Sequence, residues 1–366
     1  MTSGTMDLSD LPTPALLLDL DRVERNLARM AARCRDLGVA LRPHLKTHKC
    51  VELAQRQRVH GAGGVTVSTL VEARVFADHG FDDITWAFPV ILSRLPEVRA
   101  LADRVTLRLF VDGPEALDAL EREEFPFHVW LKLDCGYHRA GLDPSSPATL
   151  ALARRLAASP RLRFDGVATH SGHAYHTAGR DRIAAVAEDE RRAVAEFRDR
   201  LAGEGMQVSG SVGSTPAMSC VERLDGVTEA RPGNYVFYDA MQVGLEVCSP
   251  ADCGVSVLAS VVSAQPGAAH CVVDAGALAL SKDAGHPGPV PAMGWIYDDY
   301  PAGTLRSDAR LTALSQEHGV LSARLPVGAR VRILPNHSCL TAACFDEYHV
   351  VRAGQVVDRW KIWRGR

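Results

Sequence analysis

The chain has 366 residues, 46% of them hydrophobic and 23% charged, with a formal net charge of −3. That length suits roughly two domains with ample apolar material for a core. The near-neutral balance excludes the electrostatic footprint of a nucleic-acid or membrane-surface binder, and no apolar run reaches the roughly 18 residues of a membrane span.

The opening stretch MTSGTMDLSDLPTP has no basic segment followed by an apolar one, so no secretory signal is read there. Nine cysteines, scattered from Cys34 to Cys344 without a CxxC, fit reduced thiols in a cytoplasmic protein. ALLLDL (15–20) reads as a strand that either domain can claim. Residues 21–37 then carry apolar side chains at helical spacing: Val23, Leu27, Met30, Ala31, Cys34 and Leu37.

Eight strands follow, at 39–45, 64–70, 83–89, 106–112, 128–134, 163–169, 207–213 and 226–232. Amphipathic helical segments at 51–60, 71–80, 93–103, 114–122, 147–158 and 179–203 separate most of them, and 215–222 is at best a short helix. Eight βα units predict an α/β fold, a (β/α)8 TIM barrel. A doubly wound open sheet is weakened by the lack of GxGxxG after the first strand. Past about residue 250 the texture becomes β-rich, at 256–265, 270–280, 330–336, 347–354 and 355–363, with Ala353-Gly354 as a hairpin turn. The expectation is a barrel over 15–248 and an all-β C-terminal domain over 249–366, with residues 1–20 free to pack with the latter.

In such barrels the chemistry sits at the carboxyl ends of the strands, and phosphate often binds after strands 7 and 8. The first strand runs into LRPHLKTHK (41–49), with His44, Lys46, His48 and Lys49 together. Most lysines are solvated surface residues, but one at a strand end among cations is placed for a lowered pKa. A Schiff-base lysine needs that, which singles out Lys46. The fifth strand runs into DCGYHRAG (134–141), the sixth into HSGHAY (170–175), the seventh into SVGSTP (211–216) and the eighth into RPGNYVFYD (231–239).

Gly213, Ser214, Thr215, Gly233 and Asn234 can offer N–H groups and hydroxyls to a phosphate. One such loop alone reads as an ordinary turn; two, after the two expected strands, point to a site. A Schiff-base lysine opposite a phosphate implies pyridoxal phosphate. Arg139 would then face the pyridine nitrogen and keep it largely unprotonated. Tyr175 would pack beside the cofactor. In PNHSC (335–339), His337 and Cys339 sit at strand spacing on one side of the chain, with a nitrogen and a sulfur that suit zinc. Two ligands are too few for a closed structural site and suit an open catalytic one. Manganese and magnesium are the alternatives that a cysteine ligand disfavours.

Taken together, LRPHLKTHK, residues 67–89, DCGYHRAG, GSTP, EARPGNY, VDAGALALSKD (273–283) and PNHSC resemble the fold-type III pyridoxal-phosphate enzymes. Within these they resemble the D-serine dehydratase and D-threonine aldolase group, over nearly the whole chain from Leu11 to Arg366. The resemblance implies an alanine-racemase-like barrel followed by a β domain, a homodimer, and a divalent metal beside the cofactor. It implies Lys46 as the Schiff-base lysine, Arg139 at the pyridine nitrogen and Tyr175 at the cofactor. The 213–215 and 233–234 loops would hold the phosphate, and His337 and Cys339 the metal.

A His-x-Cys pair resembles the zinc-dependent D-serine dehydratases and the related 3-hydroxyaspartate dehydratases, whereas the aldolases more often show His-x-Asp. The reaction so implied is β-elimination of a small D-3-hydroxy amino acid, D-serine first, to a 2-oxo acid and ammonia. The alternatives are D-threonine aldolase, which releases glycine and an aldehyde, and a 3-hydroxyaspartate dehydratase or aldolase. A racemase ranks lower, because no second acid/base is identified. A non-catalytic pyridoxal-phosphate-binding barrel ranks last, because it would lack the β domain and the metal pair.

Overall fold

The computed structural model describes residues 6–285 and 291–365. Two compact units emerge, and neither is one continuous stretch of chain. The first is Met30–Lys46 with Leu53–Gly233; the second takes the chain up to Arg29, Thr47–Glu52 and Asn234–Arg364.

The first unit is built on an eight-stranded parallel sheet. Its strands are Ala40–Leu41, Val65–Val67, Asp83–Pro89, Thr106–Val111, His128–Lys132, Arg163–Ala168, Ser209–Val212 and Glu229–Ala230. All eight fall where the sequence predicts them, and the seven helical segments recur between them with ends shifted by a residue or two. The first strand pairs with the eighth. A parallel bridge between His44 and Thr66 links it to the second, with Thr66 N–H donating to Pro43 O at 2.9 Å. Strands buried on both faces read as near-continuous apolar runs, as Thr106–Val111 and His128–Lys132 do. Inside, Phe110, Trp130 and Ala168 pack together, and Gly166 leaves room for the indole: a Cβ there would lie 2.5 Å from the Trp130 ring.

The helix starts position strand-end residues. Thr69 caps Leu70–Asp78 by accepting from Glu72 N–H at 3.1 Å, while the Glu72 carboxylate accepts from Ser68 N–H at 2.7 Å. These two bonds hold the Ser68-Thr69 corner after the second strand, in the manner of a capping box.

The second unit carries a ten-stranded sheet. Six of its strands close into an antiparallel barrel, because Val255–Ser263 pairs with Cys271–Val273 on one side and Arg330–Leu334 on the other. The opening strand Ala15–Asp19 lies in this sheet, antiparallel to Val255–Leu258 and parallel to His349–Val351. Two features differ from the sequence reading. Within 270–280 only Cys271–Val273 is strand; the chain then turns at Gly276, where a Cβ would lie 2.4 Å from Gln316 O, into the short helix Ala277–Leu280. The strands Gly294–Asp299, Thr304–Leu314 and Gly319–Leu321 were not anticipated. Thr304–Leu314 carries three charged or polar side chains in succession, Arg306, Ser307 and Asp308, so it lacks the period-2 apolar signal.

Ala353-Gly354 does turn a hairpin, between the pairs Val351–Val356 and Arg352–Gln355, with φ of 49° and 81°. Both turn residues are left-handed, which Gly tolerates and Ala does not. Ala353→Asn is therefore expected to stabilise the fold by about 0.5–1 kcal/mol, read as a rise in Tm. An unchanged or lower Tm would contradict that account of the turn. Among the described residues, no helix is long and apolar enough to cross a membrane.

Candidate active site

At the carboxyl ends of the barrel strands lies a cavity of about 450 Å³. Every strand contributes to its wall: His44 and Lys46, Ser68 and Thr69, Ala87 to Pro89, Phe110, Lys132, His170, Gly213 and Arg231, with Arg139 from the loop after the fifth. Four of these side chains are cations, Lys46, Lys132, Arg139 and Arg231, and none is a carboxylate.

Lys46 stands exposed on the tight turn Leu45–Thr47, between two buried neighbours. Burial, and after it the Lys46 charge, holds the His44 imidazole well below its ordinary pKa, and the same two causes act on His170. Both rings are thus neutral at physiological pH, and His170 donates its Nδ1–H to Gly213 O. Burial first, then Arg231 and Arg139, pulls the Lys132 amine down to about 8. The cluster foreseen around Lys46 is split. His48 is buried elsewhere, its Nδ1 accepting from Cys50 N–H at 3.1 Å and its carbonyl accepting from Tyr348 Oη at 2.8 Å. The chain leaves the barrel through Lys49, at φ 49°.

Arg139 is exposed and lies over the Tyr137 ring, 4.8 Å from its centroid, and Tyr137 stacks on His173. Asp134 shapes this loop by accepting from Gly136 N–H at 3.1 Å and His138 N–H at 3.0 Å. Arg231 is the opposite case. It is buried, donates to Ser211 Oγ and Thr169 O, and lies 5.6 Å from the Phe110 centroid.

Of the loop residues singled out for phosphate, only Gly213 lines the cavity. Its N–H donates to Glu190 Oε1 at 3.1 Å, so it shapes the floor and offers no free donor. It must be glycine: its φ is 144° and a Cβ would lie 2.6 Å from Arg231 N. Ser214 and Thr215 are buried next to it, with Ser214 Oγ capping the short helix Thr215–Cys220 by accepting from Ala217 N–H at 3.2 Å. Gly233, Asn234 and Tyr175 are not among the lining residues. Tyr175 is half-buried on the turn Gly172–His176. The Asn234 amide is spent within the β unit, donating to Asp239 Oδ2 at 2.8 Å and Ser338 Oγ at 2.9 Å.

That same unit holds the His-x-Cys pair. The strand before it ends at Leu334, and the pair sits at the start of the short helix Ser338–Ala342 rather than on the strand. Pro335 and Asn336 break the ladder there. His337 and Cys339 are nevertheless in hydrogen-bonding contact. Burial works against the His337 charge, but Asp283 and then Cys339 overcome it and push the imidazole up to about 11. The Cys339 thiol, raised by burial, is drawn below its usual range by His337. Asp283 Oδ2 accepts a hydrogen bond from His337 Nδ1–H at 2.7 Å, which makes Nε2 the nitrogen that a metal would take. Thr47, the residue after Lys46, places its hydroxyl 3.3 Å from Cys339 Sγ. Asp239 accepts from Ser338 N–H at 2.9 Å and fixes the turn between the pair. Among the described residues, no three or more His, Cys, Asp or Glu side chains gather as a metal site. A metal here would complete its shell with water or substrate.

Lys132, Arg231, Tyr137, Asp239 and Asp283 are the neighbours that the sequence reading missed. Only Asp134-x-Gly136, an Asx-turn signature, carried a local signal for any of this scaffolding.

Residues 18–240 match the family described as "Alanine racemase, N-terminal domain", and residues 254–351 the one described as "Putative serine dehydratase domain". D-threo-3-hydroxyaspartate dehydratase of Delftia sp. (strain HT23) is 39% identical over 98% of this chain and 99% of its own. D-serine dehydratase of Dictyostelium discoideum is 34% identical over 99% of both chains. The chain belongs to the D-serine dehydratase and D-threonine aldolase family. This family of pyridoxal-phosphate lyases also includes the D-threonine aldolase of Arthrobacter sp, 30% identical over 97% of this chain and 93% of its own. The family fold extends over the whole molecule. A solved structure described as a cysteine-to-alanine mutant of D-threo-3-hydroxyaspartate dehydratase in the metal-free form has a TM-score of 0.93 at 38% identity, covering 99% of this chain and 100% of that one.

Proposed function

We propose that the protein is a pyridoxal-phosphate- and zinc-dependent dehydratase of D-3-hydroxy amino acids, D-serine first, releasing a 2-oxo acid and ammonia. The observation that carries this reading is the cavity with four cations and no carboxylate, one of the cations being the lysine that ends the first strand. Such a wall fits a phosphate-bearing, anionic cofactor. The His337–Cys339 pair fits zinc, because Asp283 holds Nδ1 of the imidazole and so turns Nε2 over to a metal, next to a thiolate-prone sulfur. Barrel residues within 15–248 would bind the cofactor, and residues within 249–366 the metal.

When bound, pyridoxal phosphate supplies an electron sink for charge at Cα, and zinc supplies a Lewis acid that makes hydroxide a better leaving group. The protein's own work is positional and acid–base. Lys46 would hold the cofactor, and its amine would take up the substrate's α-proton. Arg139 would face the pyridine ring, and Tyr175 would border the cofactor. Ser214, Thr215, Gly233 and Asn234 would offer backbone N–H groups to the phosphate, with Gly213 shaping the turn. Neutral His44 and His170 add no charge to repel the protonated amine.

A second reading is dehydration of D-3-hydroxyaspartate. Its support is the 39% identity with the D-threo-3-hydroxyaspartate dehydratase of Delftia sp. (strain HT23). We further propose a homodimer in the cytoplasm; the location is consistent with nine cysteines that form no disulfide among the described residues.

Product analysis decides among these. D-Serine, D-threonine and D-3-hydroxyaspartate are offered to the holoenzyme with and without a chelator. Pyruvate, 2-oxobutanoate or oxaloacetate, lost on chelation, is the expected result, and the fastest of the three names the substrate. Glycine with acetaldehyde from D-threonine would instead establish the aldolase.

A further inference from the structure

Between the cavity and the opposite end of the barrel, the interior carries an unbroken line of charged and hydrogen-bonding groups. It starts at Arg231 in the cavity wall. Arg231 Nη1 donates to Ser211 Oγ, and Ser211 Oγ donates to Glu229 Oε1 at 2.6 Å. The other carboxylate oxygen, Oε2, accepts from Arg42 Nε at 2.7 Å. Arg42 spends its remaining nitrogens on the two oxygens of Asp83, at 2.8 Å each. Asp83 opens the third strand and lines a second cavity, of about 520 Å³, at the amino ends of the strands.

The line is built, not incidental. Ser211 and Glu229 are direct cross-strand partners on the seventh and eighth strands. Gly64 makes way for Arg42, since a Cβ there would lie 2.2 Å from Arg42 Nη1. Ser211, Glu229, Arg42 and Arg231 are all buried.

The direction of the hydrogen bonds matters. A serine hydroxyl has one proton. Ser211 gives it to Glu229, so toward Arg231 it can only accept, and this pins the Arg231 guanidinium in one orientation. The other carboxylate that acts on Arg231 is Glu190, but its Oε1 accepts from Ser171 N–H at 2.8 Å and Gly213 N–H at 3.1 Å. The remaining titratable groups around Arg231 are Lys46, Lys132, Arg139, His44, His170 and Cys135, and they add positive or no charge at neutral pH.

We propose that Glu229 is a positioning residue for Arg231, acting through the Ser211 hydroxyl, with Arg42 holding Glu229 ionised and in register. Glu229 thereby sets the orientation of Arg231 and supplies the negative charge that the cavity wall lacks. This rests on the cavity being the cofactor site. A purely structural network would alter stability alone.

The test is the visible absorbance of the Lys46-bound cofactor, titrated with pH in the holoenzyme, for the wild type, Glu229→Gln and Ser211→Ala. Losing the Glu229 charge disfavours protonated species in the cavity. The titration midpoint is thus expected to move down by about one pH unit in Glu229→Gln. Ser211→Ala keeps the Glu229–Arg42 pair and is expected to shift the midpoint less. In both, kcat should fall about tenfold with KM little changed, as misplacement of a positioned group does.

A folded Glu229→Gln that only melts earlier, with midpoint and kcat unmoved, overturns the proposal. If Glu229→Gln does not fold, Ser211→Ala decides in the same way. Failure of the cofactor reading looks different: the band would then survive Lys46→Ala, whatever Glu229 does.

Discussion

Lys46→Ala is expected to abolish the visible band of bound cofactor and to lower turnover by at least about 10³-fold, because it removes both the covalent anchor and the base that takes the α-proton. Two amines line the cavity, Lys46 and Lys132, and the control is to compare them. Lys132 is largely buried, held among Arg231 and Arg139, with its pKa drawn down to about 8, so its reactivity alone would not disqualify it. What separates the two is place. Lys46 projects from a turn with its side chain exposed, whereas Lys132 ends a strand inside the wall. Lys132→Ala should keep the band, with altered affinity. A band that survives Lys46→Ala and disappears in Lys132→Ala would transfer the anchoring role.

Cys339→Ala is expected to strip the metal and, with it, β-elimination. Metal content and turnover should fall together, and turnover of the wild type should fall as far on chelation. Adding His337→Leu should then cost little more, since the two ligands act as one unit. Asp283→Asn leaves both ligands in place but loosens the imidazole, and should weaken metal affinity about 10- to 100-fold. Activity that persists through both chelation and Cys339→Ala would mean that the leaving group is assisted by something other than this metal.

The barrel was legible because each of its strands is short, apolar and bounded by turn residues, and each helix between them shows its own periodicity. That Lys46, Arg139 and Gly213 line one cavity was legible because each follows the end of a barrel strand, and that place is itself information. The rest was not, for physical reasons. Arg231 and Lys132 read as ordinary strand-end charges until eight strands are closed around them. Asp283 lies 54 residues before His337, and no local pattern announces their 2.7 Å contact. Nor does any local pattern show that Asp239 and Ser338 claim the side-chain amide of Asn234. The strand Thr304–Leu314 hid because its exposed face is polar.

The placing of Ala15–Asp19 in the sheet of the second unit bears on how the chain is made. That strand leaves the ribosome long before both of its partners, Val255–Leu258 and His349–Val351, which are encoded more than two hundred residues later. At roughly 5–20 residues per second it waits on the order of tens of seconds, an apolar ALLL run with no ladder to join. Apart from the pairing of the first strand with the eighth, the barrel strands find their neighbours within a few dozen residues. Nascent chains stalled before residue 255 should thus hold a folding barrel beside a sticky, unpaired N-terminal strand, an obvious client for a ribosome-bound chaperone.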